Sequence, residues 1–293
     1  MNKKKKMKPT PEWGLRTYIM GILNITPDSF SGDGFLSGSW SIDNAIPQTY
    51  QMVEDGADIL DIGAESSRPG STPISPEEEL DRLIPFLSEL LGQNLSAIIS
   101  IDTYKSGIAE TCLDMGADWI NDIWGLRADK ELASVVSDKG AAIILMHNRM
   151  QSDQVLDYGN LGKSYSGAKY EDLIGDIKKD LEASINIALK AGISEKKIIL
   201  DPGLGFGKTV NQNLTIIKRL DEIKAMGFPV LVGPSRKSFI GKVLNLPVDK
   251  REEGTYAALS LCIAKGADII RVHDVKGNAR IAAMTDAVVR ETQ

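Results

Sequence analysis

One pattern constrains this chain more than any other: a glycine joint that recurs four times ahead of an apolar run. Gly56-Ala57-Asp58 leads into Ile59-Leu60-Asp61-Ile62, and Gly116-Ala117-Asp118 into Trp119-Ile120-Asn121-Asp122. Gly140-Ala141-Ala142 leads into Ile143-Ile144-Leu145-Met146-His147, and Gly266-Ala267-Asp268 into Ile269-Ile270-Arg271-Val272-His273. Helices often end on a left-handed glycine, and a short apolar run is what a strand buried on both faces of a parallel sheet requires. Each joint therefore reads as helix end, tight turn and buried strand, and the recurrence reads as a repeated α-to-β unit.

Further apolar runs at Tyr18–Leu23, Ala97–Ile101, Ile198–Leu200 and Pro229–Val232 bring the strands to eight. Eight such units in sequence suit a closed parallel (β/α)8 TIM barrel; an open doubly wound sheet is the alternative, usually with fewer strands. The 293 residues fit one barrel with extra loops. We set residues 1–16 apart as a basic, flexible tail and assign 17–293 to a single domain. Between strands, Ser75 and Glu78 read as a capping box with Pro76 at the first helical position. Leu80, Leu83, Ile84, Leu87 and Leu91 then form its apolar face, and Pro85 should kink or break it. The longest irregular stretch, Asn148 to Lys169, reads as a mobile loop after the fifth strand.

Composition excludes several classes. A net charge of -6 argues against general nucleic-acid binding, yet leaves room for a locally basic pocket. Cys112 and Cys262 fall in helical stretches and read as buried free thiols. The basic run Lys3 to Lys6 is followed by Pro9, Pro11 and Glu12, unlike a signal peptide, and no apolar run approaches the ~18 residues of a membrane span. A soluble cytoplasmic protein is expected.

Barrels of this kind collect their chemistry at the carboxyl ends of the strands. The residues there are Asn24, the Glu65–Arg68 group, Asp102, Asn121, His147, Asp201, Lys237, and Arg271 with His273. Carboxylates directly after Ile101 and Leu200 should be half-buried and in need of partners. Asp102, Asn121 and Asp201 offer mostly acceptor oxygens, suited to a flat heterocycle with several N–H donors; capping of the following helices is the competing reading for the two aspartates. Lys237 suits a ring carbonyl or ring nitrogen. Gly233-Pro234-Ser235-Arg236-Lys237-Ser238 follows a strand and opens a helix, where N–H groups favour an anion. Arg68, Arg271 and His273 add donors for a diphosphate. His147 reads as structural. Gly203-Leu204-Gly205-Phe206-Gly207-Lys208-Thr209 mimics a P-loop, but Pro202 stands where that motif needs its first glycine. It reads instead as a loop whose backbone approaches a planar ligand, with Phe206 as a wall.

Together these segments resemble the dihydropteroate synthase family over nearly the whole chain from Ile19. The signatures are Gly21-Ile22-Leu23-Asn24-Ile25-Thr26-Pro27-Asp28-Ser29-Phe30-Ser31 and Asp61-Ile62-Gly63-Ala64-Glu65-Ser66-Ser67-Arg68-Pro69-Gly70. Ser100-Ile101-Asp102-Thr103, Asn121-Asp122-Ile123, Asp201-Pro202-Gly203, Ser235-Arg236-Lys237-Ser238 and Arg271-Val272-His273-Asp274 follow in family order. The resemblance implies a transferase of folate biosynthesis, a sulfonamide target, in which p-aminobenzoate displaces diphosphate from a dihydropterin through a cationic pterin methylene. It implies that Asp102, Asn121, Asp201 and Lys237 hold the pterin, that Arg271 stacks on it and that Phe206 walls it. It further implies that Asn24, Ser67, Arg68, Arg271 and His273 hold diphosphate, with Mg2+ at Asn24, and that Phe30, Pro69 and Ser238 frame p-aminobenzoate. A homodimer is implied too. Three departures stand out: Ser31-Gly32-Asp33-Gly34 is one residue longer than the common form, Ser67 replaces threonine, and His147-Asn148-Arg149 lacks the usual glutamine-glycine pair. Thr26–Gly38 and Ser66–Thr72, rich in Gly, Ser and Pro, are expected to order on binding diphosphate and so to assemble the p-aminobenzoate site. The rival readings are a pterin-binding methyltransferase domain and a catalytically silent pterin-binding scaffold.

Overall fold

All four joint glycines adopt left-handed backbone, at φ 109° for Gly56, 118° for Gly116, 60° for Gly140 and 95° for Gly266. A Cβ disfavours that conformation, which explains the recurrent glycine. In three joints the aspartate two residues later clamps the adjacent strand at two points. Asp58 N donates to Ile19 O and Asp58 Oδ2 accepts from Ile19 N, both at 2.9 Å. Asp118 does the same to Ile99, and Asp268 to Val230, all at 2.8 Å. The repeated motif is thus a device for setting strand register at the amino end of the sheet.

This computed structural model describes residues 11–25, 42–66, 71–92, 95–150, 155–157, 159–161, 163–165 and 167–290. The elements run β1 (Tyr18–Asn24), α1 (Ile42–Glu54), β2 (Ile59–Gly63), α2 (Pro76–Leu91), β3 (Ile98–Asp102), α3 (Ser106–Met115), β4 (Trp119–Asp122) and α4 (Leu132–Asp138). They continue with β5 (Ala142–Met146), the short strands β6 (Val155–Asp157) and β7 (Lys163–Tyr165), α5 (Leu173–Lys190), β8 (Ile198–Asp201), α6 (Val210–Lys218) and α7 (Leu220–Lys224). The last are β9 (Leu231–Val232), α8 (Ser238–Leu244), α9 (Glu252–Ala264), β10 (Ile269–Val272) and α10 (Val275–Val289). Parallel pairing follows the order β8-β5-β4-β3-β2-β1-β10-β9, and a parallel bridge from Leu200 to Val230 brings β9 back beside β8. The eight strands form the expected (β/α)8 barrel.

The two-residue period of a strand divides the core in two. Ile19, Leu60, Ile99, Ile120, Ile143, Ile198 and Ile270 face the helices. Tyr18, Met20, Ile59, Ile98, Trp119, Ile144, Ile199, Leu231 and Ile269 fill the lumen as a separate cluster, with Trp13 packed against it. Two positions further along five of these strands stand Asp61, Ser100, Asn121, Asp201 and Arg271. The lumen is therefore apolar at its amino end and polar at its carboxyl end, and the polar end is where a site can form.

Several local expectations change. α2 runs unbroken through Pro85. Its buried face is Leu83, Phe86, Leu87 and Leu90, whereas Ile84 is exposed. Buried Glu79, ion-paired to Lys105 at 2.7 Å, fixes that rotation. Ser75 accepts from Glu78 N at 3.2 Å, but the Glu78 carboxylate turns to Arg82, so only half the capping box forms. The stretch 148–169 is not structureless: β6 and β7 make an antiparallel hairpin within it. In the stretch set apart as a tail, Trp13 packs edge-on to Tyr18 with ring centroids 5.4 Å apart, and Arg16 pairs with Asp58 at 2.6 Å. Cys112 and Cys262 are buried and free, and burial pushes both thiols up to about 12. Among the described residues, no helix is long and apolar enough to cross a membrane.

Candidate active site

Strand alternation carries Asp102, Asn121 and Asp201 to the mouth of the lumen as the last inward-facing residues of β3, β4 and β8. Register sets Asp102 beside Asn121, and Asp201 beside Met146. The acids end the strands rather than following them, so the competing reading of helix capping does not hold for Asp102: the residue flanking α3 is Lys105. Nor does Asp201 cap α6, which is closed by a complete capping box between Thr209 and Gln212.

Beneath them lies a residue that the reading of strand exits overlooked. Asp61, fully buried in β2, accepts from Ser100 Oγ at 2.7 Å, Asn121 Nδ2 at 2.9 Å and Arg271 Nε at 2.6 Å. The signal was present, since an acid inside Ile59-Leu60-Asp61-Ile62 shares the parity of lumen-facing Ile59. Arg271 also donates from Nη2 to Asp102 Oδ2 at 2.7 Å. Its guanidinium thus neutralises two acids on the floor of the site.

This network leaves specific atoms available. The Asn121 amide commits its NH2 to Asp61, one Asp102 oxygen meets Arg271, and Asp201 Oδ1 accepts from Gly203 N at 2.7 Å. Among the described residues, Asp102 Oδ1, Asn121 Oδ1 and Asp201 Oδ2 have no protein partner, and none is sealed from solvent. Burial pushes the Asp102 carboxyl up to about 7 against the pull of Arg271, with Asp61 and Glu79 adding to the rise and Lys237 opposing it. Burial pushes Asp201 up to about 6, opposed by the Gly203 N–H and by Lys208, Lys237 and Arg271. Lys237 Nζ lies 4.0 Å from the ring centroid of Phe206, a cation–π contact.

On the β9–β10 side, the Ser235 hydroxyl accepts from His273 N at 3.3 Å and contacts His273 Nδ1 at 2.9 Å. In the tautomer with its proton on Nε2, Nδ1 accepts the Ser235 hydroxyl proton; in the other, the hydroxyl accepts from Nδ1–H as well. Asn24 ends β1, partly exposed at the same mouth, and Ser238 opens α8. Phe30, Ser67, Arg68 and Pro69 lie outside the described residues, as does most of both loops expected to order. His147 is buried, its Nε2 contacts Asp180 Oδ2 at 3.1 Å, and burial, then Lys208, pushes it down to about 2. Lys208 of the P-loop mimic turns its ammonium onto backbone carbonyls, not toward the mouth.

Comparison with known proteins agrees with this geometry. The family model of pterin-binding enzymes matches residues 20–273. A dihydropteroate synthase of Clostridium beijerinckii is 46% identical over 94% of this chain and 96% of its own. The crystal structure of a dihydropteroate synthase from Clostridium difficile, determined in the presence of pteroic acid, is 45% identical with a TM-score of 0.85, covering 96% of this chain and all of the other. A dihydropteroate synthase of Xanthomonas albilineans, solved with 4-aminobenzoic acid, is 34% identical with a TM-score of 0.82, covering 93% of each chain. The chain belongs to the dihydropteroate synthase family of pterin-binding enzymes.

Proposed function

We propose that this protein condenses 6-hydroxymethyl-7,8-dihydropterin diphosphate with p-aminobenzoate, yielding 7,8-dihydropteroate and diphosphate for folate biosynthesis. The observation that carries this reading is the trio of unpaired acceptor oxygens on Asp102, Asn121 and Asp201 at the polar mouth of the lumen. A pterin edge rich in N–H donors matches them, Lys237 meets the acceptor edge, and Phe206 supports the ring face. The pteroic acid and 4-aminobenzoic acid named with the two solved relatives agree with both halves of the reaction.

The C–O bond between pterin methylene and diphosphate breaks with its electron pair leaving on diphosphate. Asp102 and Asp201 stabilise the cation that remains, as fixed charges in a poorly solvated site. The amine lone pair of p-aminobenzoate then forms the C–N bond, and the surplus amine proton passes to solvent. His273 and Asn24, joined by Ser67 and Arg68, hold the leaving diphosphate; Arg271 reaches it only through its remaining donors. Phe30, Pro69 and Ser238 frame the p-aminobenzoate ring. Mg2+ would be held by the side-chain oxygen of Asn24, at the end of β1, together with oxygens of the substrate diphosphate. When bound it would supply charge neutralisation on the leaving group. A homodimer in the cytoplasm is part of the proposal; the exposed Leu261 of α9 and the exposed Met284 and Val288 of α10 support the dimer. An assay of purified protein with both substrates and Mg2+ should yield dihydropteroate, and its absence would overturn the reading.

The raised carboxyls give the site a pH signature. A carboxyl lifted above its ordinary range is protonated on the acid side of its new value and stops accepting there. Pterin affinity should therefore fall as pH drops from 8 through 7 and 6, where Asp102 and then Asp201 take up protons. Calorimetric titration at pH 8, 7 and 6 with a non-reactive pterin tests this. Equal affinity at all three values would contradict it.

A further inference from the structure

Lys208 stands behind the site, just before α6, and no step above uses it. It is 5% exposed. Its Nζ donates to Gly203 O at 2.8 Å and Phe206 O at 3.0 Å, and reaches His147 O at 3.4 Å. Among the described residues no carboxylate pairs with it. A buried ammonium held only by neutral carbonyls is costly, and cheaper side chains could fill that space.

The three carbonyls explain what it does. His147 leaves β5, whereas Gly203 and Phe206 belong to the loop that leaves β8. One cation therefore joins two neighbouring strand exits and ties down the backbone at Gly203 and at Phe206 itself. The same seam is closed elsewhere. Gly203 has φ 70°, and a Cβ there would run into His147 O. Ala168 N donates to Gly207 O at 2.8 Å, so the far end of the 148–169 stretch also docks on this loop. Asp201, whose Oδ1 accepts from Gly203 N, is held by the turn that Lys208 braces.

We propose that Lys208 is a positioning residue for pterin binding: it holds Phe206 and the Asp201–Gly203 turn in receiving geometry and keeps a positive charge behind Asp201. This rests on the functional reading above. The charged and titratable groups facing the pair are Lys237, Arg149, Arg127 and the buried His147 around Lys208, and Lys237, Arg271 and the buried Cys262 around Asp201. Burial pushes the ammonium down to about 7, with Asp201 opposing the shift, and Lys208 in turn lowers Asp201. Removing the cation leaves Asp201 fewer groups that favour its ionised form, so it should stop accepting at a higher pH than in the parent.

The test uses the full chain with Lys208→Met and Lys208→Arg, titrated with a non-reactive pterin lacking diphosphate and, separately, with inorganic diphosphate and Mg2+. Lys208→Met should weaken pterin roughly ten- to hundred-fold, the scale of a misplaced binding group. It should also move the pH midpoint of pterin binding upward and leave diphosphate affinity unchanged. Lys208→Arg should keep the parent's pH midpoint while binding pterin more weakly, because it keeps the charge but not the fit to three carbonyls. Pterin affinity and midpoint both unchanged in Lys208→Met would overturn the role, as would equal losses of pterin and diphosphate. If Lys208→Met does not fold, Lys208→Arg decides: weaker pterin at the parent's midpoint supports the role, and parental affinity overturns it. A parent protein that binds no pterin overturns the functional reading instead, so the two failures are distinguishable.

Discussion

At pH 8, Asp102→Asn and Asp201→Asn should each bind pterin roughly ten- to a hundred-fold more weakly than the parent, yet melt no earlier. The loss follows from exchanging a charged acceptor for a neutral one. Hydrogen bonds to charged groups contribute about 1.5–3 kcal/mol, and about 1.4 kcal/mol is a factor of ten. Geometry survives in both variants, because an amide oxygen still accepts from Arg271 Nη2 at position 102 and from Gly203 N at position 201. The stability half comes from the direction of the shifts. Burial holds Asp102 up at about 7 and Asp201 at about 6, so ionisation at pH 8 works against the folded state, and the amides remove that penalty. The sign is that of a raised acid: folding loses stability as pH climbs from the ordinary carboxylate range through the shifted value. Calorimetry of pterin binding and of thermal unfolding on the same samples checks both halves. Parental pterin affinity would remove these carboxylates from the site, and early melting would make them structural.

The barrel was legible because its joints are chemically explicit. Glycine at a left-handed helix end and an apolar run after it leave few alternatives, and the joints at Gly56, Gly116, Gly140 and Gly266 all behave so. The clamp made by Asp58, Asp118 and Asp268 was not foreseen, because spacing shows a residue's place but not the N–H it will meet across a sheet. Helix rotation was less legible: Ile84 fits the periodicity as well as Phe86 does, and the buried pair Glu79–Lys105 decides between them. At the mouth of the lumen, strand ends point to Asp102, Asn121 and Asp201, whereas Asp61 lies mid-strand. Extending the alternation one step inward from Ile59 would have found it. Arg271 was expected at the ring face and the diphosphate; its ties to Asp61 and Asp102 are long-range and leave no mark in the sequence.

Those ties set the second large effect: Arg271→Met should destabilise the fold by about 3–5 kcal/mol, the cost of leaving a buried charge without its partner. Methionine matches the stem in length and flexibility, so packing is not the cause. Asp61 is fully buried, and without Arg271 it retains only the neutral donors Ser100 Oγ and Asn121 Nδ2. Against a total stability of about 5–15 kcal/mol, such a loss should lower the melting temperature by on the order of 10 °C. Adding Asp61→Asn removes the stranded charge, so the double variant should recover much of the loss; the residues touch, and strong non-additivity is expected. Binding should not recover with it. In the double variant Asp102 loses both Arg271, the strongest influence holding its carboxyl down, and Asp61, a weaker one pushing it up, so on balance it stays protonated to higher pH and accepts from pterin only in more alkaline solution. Thermal unfolding of the parent, Arg271→Met, Asp61→Asn and the double variant completes the cycle, with pterin titrations of the double at pH 7 and 9. Arg271→Met as stable as the parent, or a double no more stable than Arg271→Met, would show that Asp61 does not depend on Arg271; parental pterin affinity at pH 7 in the double would show that Arg271 does not outweigh Asp61 at the Asp102 carboxyl.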